Sequence, residues 1–415
     1  MKHVLFVTAL FFISNVAFSQ IIVKPVGCFA GTNGLNIDAL QNSESRGVLI
    51  SERWADIETS PGVFNFSNIN SKIAFAVNAN VKYSLAILGG AAGSPKWLMD
   101  SSKAQFFNTK FRGVDTKLPL WWDSVVQERL EILIVELGKQ YSADTSLSHI
   151  YVTQMTLNGV EGHLNGVDMT SFAMNGYTDQ KWISSAKRTT KLYAQAFPNV
   201  PIVFEVHEIN HDTIVPATII NDLSIDLDLC ERLGVGMWWI SGKSSYQPNL
   251  VEFIRQYEGD KYAQIIGRSD QKERFQDSSY STVFRQAKDL GMRYIEPWPY
   301  EFQFHTYDSL LKDFNEWADG TFSTADTCTR TNSILQKELP AKAISVYPNP
   351  SNGLFYIDIE EPYSSLSVSL VNYAGQYIDV SNELEIDISQ VPAGIYLLKI
   401  TIDGSITSKK VIKVE

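Results

Sequence analysis

Cysteine is scarce in this chain: Cys28, Cys230 and Cys328 are the only three among 415 residues. So odd and widely spaced a trio excludes a disulfide-rich scaffold, shows no zinc-type Cys/His pattern and leaves at least one thiol unpaired. A Cys28–Cys328 bridge would tie the start of the main domain to its end, although spacing alone does not establish it. Positive charge is also short. Lys and Arg number 35 against 46 Asp and Glu, a net charge of -11, which excludes a general nucleic-acid binder because neutralising phosphates needs a basic surface. There is no Gly-rich phosphate loop and no dinucleotide fingerprint, so no cofactor is expected. G-x-S-x-G and H-E-x-x-H are missing too, which speaks against a secreted esterase or metalloprotease. Beyond the N-terminus, no apolar run approaches the roughly 18 residues that a spanning helix needs.

What is present begins with "MKHVLFVTALFFISNVAFSQ". Basic residues, an apolar stretch and small residues follow one another in the order of a secretory signal peptide, placed at residues 1–19. The mature chain is therefore expected to be exported and soluble. Hydrophobic residues make up 44% and charged residues 20%, enough to bury a large core. Nine Trp and eighteen Tyr suit either sugar stacking or simply an aromatic core.

From residue 20 to residue 325 the chain alternates between β-rich runs and amphipathic helices. The strand candidates are "VGCFAG", "RGVLISERW", "VKYSLAILGG", "SHIYVTQMTL", "VPIVFEVHE", "GVGMWWISG", "YAQIIGRS" and "MRYIEPW". Helical spacing runs through Val126, Leu130, Leu133, Leu137 and Tyr141, through Trp182, Ala186, Tyr193 and Phe197, and through Tyr307, Leu311, Phe314 and Trp317. The pattern predicts an α/β fold, a (β/α)8 TIM barrel, with an open doubly wound sheet as the competing arrangement. Small and polar residues then form a linker over 326–342. Residues 343–415 alternate as short strands around turns at Asn352-Gly353 and Ala374-Gly375, with Phe355, Ile357 and Ile359 on one face, and predict a small all-β sandwich.

This tail resembles the C-terminal sorting domain of the type IX secretion system of Bacteroidetes. The residues that carry the resemblance are Tyr347-Pro348-Asn349-Pro350, Ser351, Gly353, Gly375-Gln376, Pro392-Ala393-Gly394-Ile395-Tyr396 and Lys409-Lys410-Val411-Ile412-Lys413. The resemblance implies the secretion machinery as a partner, export across two membranes, removal of the tail, and a secreted or cell-surface destination.

In a barrel of this kind, chemistry sits at the C-terminal ends of the strands. Arg53-Trp54, Asp56-Ile57-Glu58, Pro61-Gly62, Phe64-Asn65-Phe66 and Ser94-Pro95-Lys96-Trp97-Leu98 resemble the retaining (β/α)8 glycoside hydrolases, and the β-galactosidase-like clan in particular. That resemblance implies a general acid/base Glu after strand four. Glu161 in "LNGVEGHLNG" fits, with Asn158 three residues earlier instead of adjacent. The clan keeps its nucleophile on strand seven, and here the sequence departs: the first acid there is Asp270, beside Arg268. Glu296 among the aromatics of "YIEPWPY" and Glu208 at the end of "FEVHE" are the other candidate partners. Glycosidic cleavage needs two carboxyls, at about 5 Å for retention or about 6.5–9.5 Å for inversion.

Arg53, Trp54, Trp97, Asn158, His163, His207, Trp239, Arg268 and Trp298 are the candidate substrate-binding residues. His207 and His211 lack a third ligand of compatible spacing, so no metal is expected. In "SPKWLMDSSKAQFFNTKFRGVDTKLP", Lys96, Lys103, Lys110, Arg112 and Lys117 outnumber Asp100 and Asp115. A basic rim loop of this kind suits sulfate or uronate groups. Two functions of different class remain. One is an endo-acting hydrolase of a polysaccharide, with sulfated algal glycans such as fucan, carrageenan and agar-type galactans first in line. The other is a non-catalytic glycan-binding or surface protein on a decayed barrel.

Overall fold

The computed structural model describes residues 18–31, 35–226, 228–229, 231–330, 344–359, 366–372, 377–381, 383–402 and 405–414. All but the last two residues of the expected signal peptide, most of the expected linker, Cys230 and the Ala374-Gly375 turn lie outside the described residues. The chain divides into two compact units, one spanning Ser19–Thr329 and the other containing Arg330–Glu415.

The larger unit is a barrel of eight parallel strands: β1 Gly27–Cys28, β2 Gly47–Arg53, β3 Lys82–Leu88, β4 Leu147–Tyr151, β5 Ile202–Glu205, β6 Leu233–Ile240, β7 Asp260–Ile265 and β8 Tyr294–Glu296. Tyr294 pairs with Gly27 across β8 and β1, and Ala30 bridges to Val48 beside β2, so the sheet closes on itself. Each strand is followed by a helix: α1 Ile37–Leu40, α2 Ser67–Asn78, α3 Ser124–Tyr141, α4 Asp179–Ala196, α5 Ile214–Ser224, α6 Pro248–Gln256, α7 Ser281–Leu290 and α8 Asp308–Thr321. Local chemistry sets these helices. Asp123 caps α3 by accepting from the N–H groups of Val125 and Val126, and the stripe Val126, Leu130, Leu133, Leu137 and Tyr141 is buried, as helical spacing dictates. The expected TIM barrel is the fold observed, and the open sheet is excluded.

Side chains fill the lumen, so there is no pore. Phe29, Leu49, Ala86, Tyr151, Val203, Trp238, Tyr262 and Tyr294 form one buried cluster. Gly234 leaves room for the Tyr262 ring, since a Cβ there would lie 2.3 Å from it. Cys28 is not bridged to Cys328: its thiol is free and buried, donating to the Leu311 carbonyl at 3.7 Å.

The smaller unit contains a three-stranded antiparallel sheet (Ile344–Tyr347, Leu354–Ile359, Glu385–Asp387) and a four-stranded one (Leu366–Asn372, Tyr377–Ser381, Gly394–Ile402, Ser405–Lys413). Their inner faces share one apolar core, with Phe355, Ile357, Leu370, Leu398, Ile400 and Val411 buried together. Tyr356 and Asp358 point outward, as the period-two pattern predicts.

Candidate active site at the C-terminal rim of the barrel

The strand expected to run through Leu157 ends at Tyr151. Beyond it the chain folds back: the Gln154 N–H donates to the Gly159 carbonyl at 2.8 Å. Gly159 has φ +92°, and a Cβ there would lie 2.3 Å from the Gly89 nitrogen, so only glycine fits this approach. Asn158 then makes an Asx turn, its Oδ1 accepting from the N–H groups of Val160 and Glu161 at 3.1 and 2.8 Å. Asn158 therefore shapes the loop that delivers Glu161 to the rim.

Glu161 is 28% exposed, and its Oε2 lies 3.3 Å from His163 Nε2. Burial pushes its carboxyl up, but the hydrogen bond to His163 and the His207 and His163 rings more than offset this, leaving it below the usual carboxylate range. Glu205, the last residue of β5, is fully enclosed. Its Oε2 accepts from the Gly162 N–H at 2.5 Å and lies 3.0 Å from His207 Nδ1, while its Oε1 accepts from the Trp238 N–H at 3.0 Å. Burial first, then the charge of Glu161, holds this carboxyl well above its ordinary value against the pull of the two N–H groups. Burial likewise pushes the His207 imidazole down to about 3, so it is neutral at physiological pH. Its ring packs against His163 and Trp239, with centroids 5.2 and 5.6 Å apart.

Tyr246, beyond β6, gathers the cluster. Burial raises its hydroxyl pKa, a hydrogen bond with Asn165 opposes this, and the charges of Glu205, Glu161 and Glu208 add to the rise. All three carboxyls thus lie within electrostatic reach of one phenol. Glu208 is only partly buried, and its Oε1 accepts from Thr213 Oγ1 at 3.3 Å. Glu205, which sequence reasoning passed over as a neighbour of Glu208, is the residue that joins the loops after β4 and β5 to β6. Its position two residues before His207, at the end of the run read as a strand, was the available sign.

The other candidates lie elsewhere. Glu296 sits in the lumen with no exposed surface, accepting from the Tyr294 hydroxyl at 2.6 Å, the Tyr151 hydroxyl at 3.0 Å and Gln264 Nε2 at 2.7 Å. It is enclosed by protein donors and does not face a cleft. Asp270 is exposed and ion-paired to Arg268 at 2.9 Å. Arg53 pairs with Asp56 at 2.7 Å. Trp54 and Trp239 are buried, and Trp54 donates to Glu58 Oε2 at 2.8 Å. These two rings are core, with no face for a sugar. Trp97 and Trp298 are half-buried and donate to the Glu58 and Ile265 carbonyls at 2.9 and 2.8 Å.

The basic loop after β3 is a hairpin, Phe106–Phe111 with Val114–Pro119. Lys110 pairs with Asp115 at 3.7 Å and Lys117 with Asp100 at 2.7 Å, so part of its charge is neutralised. The hairpin and the segment holding Gly166, Asp168 and Ser171 line a groove of about 790 Å³. A cavity of about 940 Å³ lies at the opposite end, where β6 and β7 begin, lined by Leu233, Phe253, Tyr257 and Asp260. Barrel chemistry belongs to the other face. Among the described residues no group of three or more His, Cys, Asp or Glu is arranged to hold a metal, and no helix is long and apolar enough to cross a membrane.

A closed barrel of eight parallel strands, each followed by a helix, defines the larger unit as a TIM barrel. Among solved structures it is similar to the catalytic domain of the β-amylase from Paenibacillus polymyxa, with TM-score 0.50 and 11% identity over 70% of this chain and 99% of that one. It is also similar to a cold-adapted β-galactosidase from Rahnella sp. R3 (TM-score 0.46, 10% identity, 72% of this chain and 57% of that one). A third is the exo-β-1,4-mannosidase of Opitutaceae bacterium strain TAV5 (TM-score 0.42, 13% identity, 71% and 59%). No curated protein matches the chain by sequence. Residues 345–414 match the family model of the secretion system C-terminal sorting domain. The chain thus ends in a sorting domain, which indicates a secreted or cell-surface protein.

Proposed function

We propose that the protein is a secreted glycoside hydrolase that cleaves a polysaccharide within its chain, with Glu161 and Glu208 as the reacting carboxyls. One observation carries the reading: Glu161 is part-exposed at the rim, its Oε2 3.3 Å from His163, on a loop that Glu205 fixes through the Gly162 N–H. Hydrolysis needs one carboxylate to attack or to activate water, and one carboxyl to protonate the leaving oxygen. Glu161, kept ionised, takes the first part, which inverts the role implied by the sequence resemblance. Glu208 has lone pairs beyond its single Thr213 contact and takes the second. Glu296, walled in below, and Asp270, engaged by Arg268, supply neither.

The groove between the hairpin and the segment holding Gly166, Asp168 and Ser171 provides a path for a long glycan, and Asn158, His163 and the half-buried Trp97 and Trp298 remain the proposed sugar contacts. An anionic sugar is favoured only by Lys96, Lys103 and Arg112, because Lys110 and Lys117 are paired. Fucan, carrageenan and agar-type galactans are the first substrates to test. Signal peptide, barrel, linker and sorting tail, in that order, make up the proposed precursor. The test is reducing-end release from a glycan panel by the wild type, Glu161→Gln and Glu208→Gln. Each substitution is expected to lower turnover by roughly 10²–10⁴-fold. Glycan binding without turnover in the wild type would instead support the decayed-barrel reading, which the lack of a free acid at the end of β7 favours.

A further inference from the structure

Glu205 is a carboxyl with nowhere to meet a substrate. It has no exposed surface, and its oxygens are engaged from three different segments: Gly162 after β4, His207 after β5 and Trp238 on β6. Gly162 immediately follows Glu161, so the clamp fixes the backbone that carries the ionised carboxylate. His207 extends the arrangement. One edge of its ring meets Glu205, and the ring lies against His163, which itself contacts Glu161. A line of four side chains, Glu205–His207–His163–Glu161, runs from the barrel interior to the rim. The 3.0 Å contact between Glu205 Oε2 and His207 Nδ1 holds one proton, carried either by the carboxyl or by the imidazole nitrogen.

We propose that Glu205 and His207 form a buried positioning dyad for Glu161, sharing one proton and holding both the loop and the His163 contact on which that carboxylate depends. This inference rests on the hydrolase reading for the use to which Glu161 is put, but not for the dyad itself. The charged and titratable groups facing the dyad are Glu161 and His163 on the loop after β4, Glu208 on the loop after β5, and Tyr246 beyond β6. With the shared proton on Glu205 and the single N–H of His207 on Nε2, the dyad is neutral, and Glu161 carries the negative charge. Losing that proton at alkaline pH sets a second negative charge beside Glu161, and the arrangement loosens. The direction agrees with the charge on Glu161 disfavouring ionisation of Glu205.

Two measurements on the full chain test this. The first is ¹³C NMR titration of the Glu side-chain carboxyls, assigned with Glu161→Gln and Glu205→Gln. The expected result is Glu205 still protonated at pH values where Glu161 is already a carboxylate; an ionised Glu205 at neutral pH would overturn the proposal. The second is the pH profile of reducing-end release. Glu205→Gln, locked neutral, is expected to keep the acid limb and move the alkaline limb up by more than about one pH unit. A merely structural role would lower turnover at every pH and leave both limbs in place, which also overturns it. If Glu205→Gln fails to fold, His207→Gln serves: the acid limb, which reports Glu161, is expected to rise toward the ordinary carboxylate value, and an unmoved limb counts against the dyad. A wild-type chain with the expected order of titration but no turnover on any glycan sinks the hydrolase reading and leaves the dyad standing.

Discussion

Replacing Glu296 by Gln probes whether the carboxyl in the lumen keeps its proton at neutral pH. Burial pushes its pKa from an ordinary 4.5 up to about 7, against the opposing hydrogen bonds from Tyr294, Gln264, Tyr151 and Ser84. The unfolded chain releases this proton near the ordinary value, and the folded chain holds it longer. Below that value both states are protonated and the group costs nothing. Between the two values the folded state loses about 1.4 kcal/mol per pH unit, and above the folded value the loss is complete at about 3 kcal/mol. The wild type is therefore expected to lose between about 2 and 3 kcal/mol from this group between about pH 5 and about pH 8. A Gln side chain has no proton to release and escapes the loss. Urea unfolding at both pH values, followed by tryptophan fluorescence, reads the difference. All nine Trp lie between residues 54 and 317, so the emission reports the barrel unit. Other groups that titrate in this window act in both proteins and cancel. A difference between variant and wild type that does not change with pH refutes the reasoning.

Two further substitutions follow from contacts beneath the site. Gly159→Ala forces a side chain into a φ of +92° and against the backbone of Gly89, and is expected to cost more than about 2 kcal/mol; a thermal melt that stays at the wild-type midpoint contradicts the loop geometry. Arg129→Met removes the partner of Glu58, whose side chain is fully buried and keeps only the Trp54 and Gly62 N–H donors. Leaving that charge unpaired is expected to cost about 3–5 kcal/mol, measured by the same urea series.

The barrel was legible because its signals are periodic. The apolar stripe from Val126 to Tyr141 and the alternation in "GVGMWWISG" are consequences of 3.6- and 2-residue repeats, and both elements form where the pattern puts them. The end of β4 was not legible. "SHIYVTQMTL" reads as unbroken strand, yet the chain turns back after Tyr151 because Gly159 packs on Gly89, a contact between segments some seventy residues apart. The aromatic count misled in the same way. Trp54 and Trp239 are ordinary core, because exposure depends on packing partners that composition does not reveal. The basic loop was read as charge alone, whereas its register sets Lys110 directly opposite Asp115. Strand counting put Glu161 on the loop after β4, where the chain has it, while Glu205 was passed over because an enclosed carboxyl gives no sign of its burial in sequence.

That enclosed carboxyl constrains any redesign of the rim. TIM barrels are commonly diversified one loop at a time, but here a single side chain gathers donors from the connections after β4 and β5 and from β6 itself. A graft that imports only one of them leaves Glu205 short of a partner inside the protein. The two connections and the end of β6 have to be transplanted together, so this rim changes specificity as one inherited block.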